Sequence, residues 1–272
     1  MERPSWAPST VDMDLPSVAR VYDYYLGGSH NFESDRAFGE RVVRAMPGLP
    51  AILRDNRDFL RRAVRYLCGI GIDQFLDLGS GIPTVGNVHE VAQAALPTAR
   101  VVYVDHDPVA VAHGRALLEG DDQAVAILGD ARDPVDVLAT AADTGLLDLD
   151  RPVGVLMIAL LHFMHDHDKP AEMISGYLGP LAPGSHLAFT HARADGDQGM
   201  RAAANVYDQD RSPSPMRLRS AAEVAALFEG VPMVEPGIVL MPRWRPDPVD
   251  DRNGGSAVPD DYPGFAGLGR RD

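Results

Sequence analysis

Three aspartates follow consecutive apolar segments of the chain and are candidates for binding the polar groups of a small ligand. Asp77 lies in QFLDLGSGIP, Asp105 follows ARVVYV, and Asp130 follows AVAILG. The carboxyl ends of neighbouring parallel strands meet at one edge of a sheet, where such folds bind ligands. Carboxylates there can accept hydrogen bonds from ribose hydroxyls or an adenine amino group, and can attract an ammonium. The aspartates therefore predict a site for a nucleoside with positive charge.

Two glycines in the turn after the first segment would let the backbone approach that ligand. Gly79 and Gly81 carry no side chain to fill the turn. A strict dinucleotide-binding pattern would also need glycine or alanine where the chain has Thr84. Because an acidic cradle repels phosphate, the residues favour S-adenosylmethionine, which combines adenine, ribose, an ammonium and a sulfonium. They disfavour a nicotinamide dinucleotide without excluding it.

Each acidic residue also has a local interpretation. Asp107 precedes Pro108 and is expected to cap a helix, while Asp130 or Asp133 could form a turn. What favours a binding site is the combination of three acids after three different strands with a glycine turn after the first.

The elements that must position these residues alternate between helix and strand over residues 54–190, which predicts βαβ units around a parallel sheet. The predicted strands are residues 74–78, 99–104, 124–128, 153–158 and 186–190, with later strands at 237–242 and 264–270. The predicted helices are residues 54–68, one capped by Thr84 and ending near Leu96, one beginning at Pro108, and one with the capping box Ser220 and Glu223.

Less regular segments surround this body. An arm reaches residue 16, a helical segment spans 17–46, and the Gly/Pro-rich residues 245–261 are interpreted as a mobile connection. Residues 192–219 form either an inserted lid or a plain surface loop. We expect residues 1–53 to be an N-terminal arm and helical cover, and residues 54–272 to be the ligand-binding domain, the two forming one compact unit.

Composition narrows the class of partner. The chain has 25 Lys and Arg against 39 Asp and Glu, a net charge of −14, which disfavours nucleic acid and anionic membranes. Cys68, the single cysteine, excludes an internal disulfide framework. The longest apolar run, residues 153–164, is too short to span a bilayer, and the N-terminal residues lack the apolar core of a secretory signal. A cytoplasmic location is expected.

Histidines near residue 162 offer further chemistry. His162 is the candidate for a base or for a group that orients an acceptor, since histidine can take a proton near neutral pH; a structural role is the alternative. The run His162, His165, Asp166, His167 and Asp168 also invites a metal interpretation. A solvated, helix-capping acidic turn explains the same residues, so we expect no metal.

The N-terminal segment is a candidate lid over the ligand. Its candidate residues are Tyr25, Gly28, Asn31, Phe32 and Arg36, of which Asn31 and Arg36 could bind a carboxylate or orient an acceptor. The alternative is an amphipathic helix that ends at a glycine, with Tyr22 and Tyr25 in the core. Asn56 and Arg57 could reach a cofactor carboxylate, although Asp55 or Asn56 could instead cap a helix.

The succession DLGSGIP, VDHDP and GDARDP resembles the class I S-adenosylmethionine-dependent methyltransferases. More narrowly, PSVARVYDYYLGGSHNFESDR, DNRDFLRRAVRYL, ALLHF and RWRP resemble an actinobacterial family of methyltransferases formerly classed as a domain of unknown function. This resemblance covers nearly the whole chain. It implies an α/β, Rossmann-like fold with a seven-stranded, mainly parallel sheet, an N-terminal helical extension and a C-terminal antiparallel hairpin.

The resemblance also implies roles for the candidate residues. Asp77 would attract the ammonium of S-adenosylmethionine, Asp105 would hold the ribose, and residues 159–162 would face the sulfonium and the acceptor. The implied cofactor-binding set is Asp77, Gly79, Ser80, Gly81, Asp105, His106, Asp130, Ala131 and Ala159.

The expected function is methyl transfer from S-adenosylmethionine to a small-molecule acceptor. One alternative is a non-catalytic protein that binds S-adenosylmethionine or S-adenosylhomocysteine, and a further one is a nicotinamide-dependent oxidoreductase. Oxygen, nitrogen and carbon acceptors remain open at this stage, as do a monomer and a homodimer.

Overall fold

A sheet of seven strands organises the computed structural model, which describes residues 11–83, 86–209, 214–247 and 258–272. The strands are β1 (Gln74–Leu78), β2 (Arg100–Asp105), β3 (Ala124–Leu128), β4 (Gly154–Met157), β5 (His186–Ala192), β6 (Val239–Leu240) and β7 (Gly264–Arg270). Their order across the sheet is β3-β2-β1-β4-β5-β7-β6. Strands β1 to β5 are parallel, and β7 runs antiparallel between β5 and β6. The predicted fold class and C-terminal hairpin are confirmed.

The helices of the described residues connect and cover these strands. They are α1 (Val18–Tyr25), α2 (Glu33–Ala45), α3 (Leu49–Gly69), α4 (Val88–Ala95), α5 (Pro108–Leu117), α6 (Pro134–Asp143), α7 (Pro170–Leu178), α8 (Gln198–Gln209) and α9 (Ala221–Leu227). In this part of the chain no helix is both long and apolar enough to cross a membrane.

Helix caps follow the predicted chemistry in two cases. The Asp107 side chain accepts a hydrogen bond from the Val109 N–H (2.8 Å) at the start of α5. Before α9, the Ser220 hydroxyl accepts from the Glu223 N–H (3.3 Å), and the Glu223 carboxylate accepts from the Ser220 N–H (2.8 Å). These bonds satisfy backbone donors that a helix leaves unpaired at its N-terminus.

Two other helix starts were predicted wrongly. Helix α4 begins at Val88, because the Glu90 carboxylate accepts from the Asn87 N–H (2.8 Å) and caps the helix there; Thr84 lies outside the described residues. Helix α3 begins at Leu49, after Gly48, so Asp55 and Asn56 lie within the helix and do not cap it. Proline in the first turn of α3 is compatible with that earlier start.

Helix α3 covers one face of the sheet. The side of the helix that is buried carries the apolar residues that the sequence pattern predicts to be buried. Its apolar residues belong to the main core, together with the buried strands β1 and β4. Those α3 residues are Phe59, Leu60, Ala63, Val64 and Leu67. The predicted boundary between residues 53 and 54 falls within this helix, so the N-terminal cover and the sheet share one continuous element. The division into two parts stays a prediction.

The N-terminal cover consists of two helices where one helical segment was predicted. Helix α1 ends at Tyr25, and Gly27 follows with φ +81°, a conformation that glycine adopts without strain. This agrees with the alternative of a helix that ends at a glycine. Residues 192–219 are not a plain surface loop, because residue 192 ends β5 and α8 packs against α2 in a second core; the interpretation as an inserted lid stays a prediction. Residues 210–213 lie outside the described residues.

The C-terminal connection differs from the predicted strand at residues 237–242. Strand β6 is only two residues long, and Met241–Arg243 forms one turn of 3-10 helix. The buried Arg62 guanidinium donates to the carbonyls of Trp244 (2.9 Å) and Met241 (3.1 Å), which turns the chain away from the sheet. Of the stretch predicted to be a mobile connection, residues 248–257 lie outside the described residues.

Candidate functional site

A cleft of about 550 Å³ opens beyond the carboxyl ends of β1, β2, β3 and β4. It is lined by every residue that the sequence predicted to bind the cofactor: Asp77, Gly79, Ser80, Gly81, Asp105, His106, Asp130, Ala131 and Ala159. Asn56 and Arg57 of α3 also line it, as does α1 through Val18 and Tyr22. Residues separated by more than a hundred positions thus meet at one edge of the sheet.

Asp105 joins the first two strand ends. One of its carboxylate oxygens accepts from the Gly81 N–H (2.7 Å) and the other from the Asp107 N–H (2.8 Å). The neighbouring Gly79 and Ser80 N–H groups donate to the Val104 carbonyl (2.8 and 3.1 Å). Burial raises the pKa of Asp105, against the effect of these hydrogen bonds. Each carboxylate oxygen retains a second lone pair, so the group can still accept hydrogen bonds from a ligand.

Asp77 is a buried carboxylate that has no hydrogen-bond donor among the described residues. Its exposed fraction is 6%, and it faces the cleft. Burial raises its pKa to about 7; the Arg57 guanidinium acts against this increase and the Asp105 carboxylate adds to it. An unpaired buried carboxylate is costly, so Asp77 is a functional-site candidate that suits a cationic ligand.

Arg57 complements Asp77 at the same end of the cleft. Its Nη2 donates to the Gly86 carbonyl (2.9 Å), whereas its buried Nε has no partner among the described residues. A carboxylate and a guanidinium that both retain unused hydrogen-bonding capacity match the ammonium and the carboxylate of an amino acid zwitterion. S-adenosylmethionine carries such a group, so the residues present fit it.

Asp130 lies near the other end of the cleft and is held by a neighbour. The Arg132 Nε donates to both oxygens of its carboxylate (2.9 and 3.0 Å). These hydrogen bonds lower the pKa of Asp130, which keeps it ionised at neutral pH. Arg132 itself lines the cleft and also lies 3.7 Å from Asp168. An anionic, half-exposed carboxylate in this place can accept from an amino group.

The sequence as a whole matches a family model described as S-adenosyl methyltransferase, over residues 4–272. The chain belongs to this family. One similar crystal structure, of a candidate methyltransferase from Thermobifida fusca, has 38% sequence identity and a TM-score of 0.90, covering 99% of this chain and 100% of that chain. Another, of a DUF574 family protein from Streptomyces avermitilis, has 36% identity and a TM-score of 0.88, covering 96% of this chain and 100% of that chain.

The resemblance seen in the sequence is therefore confirmed, and these comparisons favour neither the nicotinamide oxidoreductase nor the non-catalytic binding protein. No curated protein matches the chain. The acceptor of this S-adenosyl methyltransferase family member has to be argued from its own site.

A second, smaller cavity adjoins the cleft. We call it the inner chamber; its volume is about 80 Å³. It lies between α1, α3, α8 and strand β5, and it shares five lining residues with the cleft: Val18, Tyr22, Asn56, Ala159 and Phe163. His162 and Tyr25, two predicted site residues, line the inner chamber and not the cleft.

A chain of hydrogen bonds crosses the junction between the two cavities. The Ala159 N–H donates to the Thr190 hydroxyl (2.8 Å), which donates to the Asn56 side-chain carbonyl (2.8 Å). The Asn56 amide donates in turn to the Tyr22 hydroxyl (3.0 Å). Ala159 has φ +56°, a strained conformation for a residue with a side chain, as is common at functional sites. These bonds fix the backbone turn that follows β4.

The sequence argument assumed that His162 takes up a proton near neutral pH, whereas in the structure it does not. Burial lowers its pKa to about 3, and the neighbouring His191 and Arg219 act in the same direction. Its buried Nδ1 has no hydrogen-bond partner among the described residues. The imidazole is therefore neutral at physiological pH and can accept a hydrogen bond.

Four of the predicted lid residues lie outside the linings of the cleft and the inner chamber: Gly28, Asn31, Phe32 and Arg36. The polar side chains among them form hydrogen bonds within the N-terminal cover. The Asn31 amide donates to Asp23 (2.8 Å), and Arg36 donates to the Asn31 carbonyl (2.9 Å). Phe32 is buried beside Val109 in a small separate core. These four residues therefore line neither cavity, and their place over a ligand stays a prediction.

Several lining residues were missed from the sequence. Tyr22 was considered as part of the N-terminal segment over the ligand or, alternatively, as a core residue, and Arg132, Thr190 and His191 were not singled out. The run from His165 to Asp168 was interpreted as a helix-capping acidic turn, with a metal site as the alternative, and its residues His165, His167 and Asp168 border the cleft. Asp166 is engaged by the Arg219 guanidinium (2.7 Å), and Asp168 accepts from the His165 N–H (2.8 Å). Local capping and ion pairing thus account for both acids.

Proposed function

We propose that this chain transfers the methyl group of S-adenosylmethionine to a small-molecule acceptor. The observation that carries the proposal is the cleft at the strand ends, where Asp105 lies with the buried carboxylate of Asp77 and with Arg57, whose Nε has no partner among the described residues. The volume of about 550 Å³ lies in the range of pockets that bury small ligands, roughly 300–1,000 Å³. The net charge of −14 supports a small molecule over nucleic acid.

The residues that line the cleft divide among the parts of the cofactor. Asp77 would attract the ammonium, while Arg57 and Asn56 would bind the carboxylate. The glycine turn at Gly79, Ser80 and Gly81 would accommodate the methionine chain. Asp105 would accept from the ribose hydroxyls with His106 beside it, and Asp130 and Ala131 would bind adenine. Ala159 would face the sulfonium.

Bound S-adenosylmethionine supplies an activated methyl group on a sulfonium, whose S–C electron pair stays on sulfur as an acceptor lone pair forms the new bond. The protein's contribution is alignment of the acceptor and exclusion of water. The hydrogen-bonded turn at Ala159, Thr190 and Asn56 fixes the junction between the cleft and the inner chamber. Tyr22 and Phe163 complete that junction, which is where an acceptor would meet the methyl group.

Turnover separates this function from its alternatives. Purified protein incubated with S-adenosylmethionine and neutral small-molecule acceptors should form S-adenosylhomocysteine together with a product that is heavier by one CH₂. Tight cofactor binding without turnover across a broad acceptor panel would support a non-catalytic binding protein instead. Saturable NADH binding, with no binding of either S-adenosyl compound, would support the oxidoreductase.

A further inference from the structure

The inner chamber is built as a compartment next to the cleft. The two cavities share the residues at their junction, so a molecule in the chamber lies next to the place assigned to the sulfonium. A single water occupies about 10–15 Å³ on this measure of volume, so about 80 Å³ accommodates roughly five to eight non-hydrogen atoms. That is the size of one six-membered ring with one or two small substituents.

The wall of the chamber selects against charge. Among the described residues that line it there is no aspartate, glutamate, lysine or arginine. Moving an ionised group from water into such a wall without an opposite charge is strongly unfavourable. A carboxylate or an aliphatic ammonium is therefore a poor occupant, and a neutral molecule is a good one.

Aromatic side chains make up a large share of the same wall. His162 lies with its ring centroid 4.5 Å from that of Phe163, and Phe163 lies 5.8 Å from Tyr207. Tyr22, Tyr25 and Phe265 also line the chamber. Rings packed in stacked or edge-on geometry stabilise one another beyond simple burial, so this wall suits a planar ring.

Polar groups in the wall retain hydrogen-bonding capacity, among them the buried Tyr25 hydroxyl, which has no hydrogen-bond partner among the described residues. The buried Nδ1 of His162 has no partner among the described residues, whereas both ring nitrogens of the adjacent His191 are bonded, to Ala192 and to Arg219. The Tyr22 hydroxyl accepts from Asn56, so its own proton is directed elsewhere. The wall thus offers a ligand hydroxyl an acceptor at His162 and donors at the tyrosine hydroxyls.

We propose that the inner chamber is the acceptor subsite and that it takes a neutral six-membered aromatic ring that bears a hydroxyl group. The inference rests on the proposed function and adds the substrate class. The hydroxyl oxygen forms the bond to the methyl carbon, and the S–C electron pair stays on the sulfur of S-adenosylmethionine. The His162 Nδ1 accepts a hydrogen bond from the hydroxyl and orients it, and the hydroxyl proton is released to water as the oxygen–carbon bond forms. Tyr22 donates to the second lone pair of the oxygen and orients it.

Fluorine NMR with ring-sized probes tests this proposal on the full chain saturated with S-adenosylhomocysteine. The probes are 4-fluorophenol, fluorobenzene, 4-fluorobenzylamine and 4-fluorobenzoate. We expect saturable binding of 4-fluorophenol, at least tenfold weaker binding of the two charged probes, and several-fold weaker binding of fluorobenzene. In His162→Phe the preference for 4-fluorophenol over fluorobenzene should disappear while fluorobenzene still binds.

A pair of variants on α8 locates the probe. Ala203 is 2% exposed and lines the inner chamber, so Ala203→Leu fills it; Ala202 is on the same helix and is not among the lining residues, so Ala202→Leu is the matched control. We expect Ala203→Leu to weaken 4-fluorophenol binding at least tenfold and the control to keep it. Unchanged affinity for S-adenosylhomocysteine in both variants shows that each is folded.

The outcomes distinguish the two proposals. If S-adenosylhomocysteine binds but 4-fluorophenol does not, or binds equally well to Ala203→Leu, the acceptor subsite is wrong and the proposed function stands. Tighter binding of a charged probe would overturn the substrate class. If S-adenosylhomocysteine itself fails to bind the wild-type chain, both proposals fall.

Discussion

The Nη1 atom of Arg20, on α1, lies 3.3 Å from the carboxylate Oδ2 atom of Asp107. The same guanidinium donates from Nε to Asp35 on α2 (2.8 Å). All three side chains are buried, and Asp107 is two residues from the cleft acid Asp105, whose carboxylate accepts from its backbone N–H. One arginine thus binds the N-terminal cover to the strand end that we assign to the ribose.

Replacement of Arg20 should therefore destabilise the protein strongly. Arg20→Met leaves two buried carboxylates without their cation, and breaking such a pair costs about 3–5 kcal/mol. Arg44→Met is the matched control, because Arg44 forms an exposed ion pair with Glu40 that contributes about 0–1 kcal/mol. Urea denaturation measures both values. A loss below about 1 kcal/mol for Arg20→Met would contradict the role of this cluster.

The raised pKa of Asp77 predicts a specific pH dependence of stability. Between its ordinary value of 3.8 and about 7 the folded state holds a proton that the unfolded state has released, so the stability contribution of this group falls as pH rises. Asp77→Asn removes the titration. Between pH 4 and pH 8, the free energy of unfolding of the variant should rise by about 2–4 kcal/mol relative to that of the wild type.

Urea denaturation at pH 4, 6 and 8 checks the Asp77 prediction. Asp150→Asn is the control, since Asp150 is exposed and distant from the cleft lining. The control should follow wild type at each pH. If the free energy of unfolding of Asp77→Asn also changes with pH as the wild type does, burial does not raise the pKa of Asp77. In parallel, the affinity of the wild type for S-adenosylhomocysteine should rise between pH 6 and 8, because the ionised carboxylate binds an ammonium better.

Arg219 fixes the turn that carries His162. Its Nη2 donates to the Met164 carbonyl (3.0 Å) and to Asp166 (2.7 Å), while Nη1 bonds the ring of His191 (3.1 Å). A lysine cannot reproduce this fork, so Arg219→Lys should cost about 1–3 kcal/mol of stability. Arg217→Lys, at a partly exposed neighbour, should cost below about 1 kcal/mol. Equal midpoints of thermal denaturation for the two variants would contradict the role of Arg219 in fixing this turn.

Much of the cleft was predictable because its position follows from strand ends. Apolar runs defined β1 and β3 at their observed bounds, and glycine and aspartate immediately after a strand had to lie at the same edge of the sheet. For that reason every predicted cofactor residue lines the cleft.

The inner chamber and the cover were less predictable because they depend on contacts distant in sequence. Asn56 meets Thr190 across 134 positions, and no local pattern marks that pair. Asn31 and Arg36 were polar residues beside glycines, which suits a lid; a buried Asp23 instead holds Asn31, which accepts from Arg36. The basicity of His162 was misjudged because burial by α1, α8 and β5 cannot be read from its neighbours in the chain.

Calorimetric titration of ligand-free protein with S-adenosylhomocysteine tests the central claim most directly. The account predicts saturable binding of one ligand per chain. Asp105→Asn should weaken it at least tenfold, because a carboxylate is lost from the ribose site, and Asp150→Asn should leave it unchanged. Absence of saturable binding to the wild type, or equal affinity in Asp105→Asn and wild type, would contradict the assignment of this cleft.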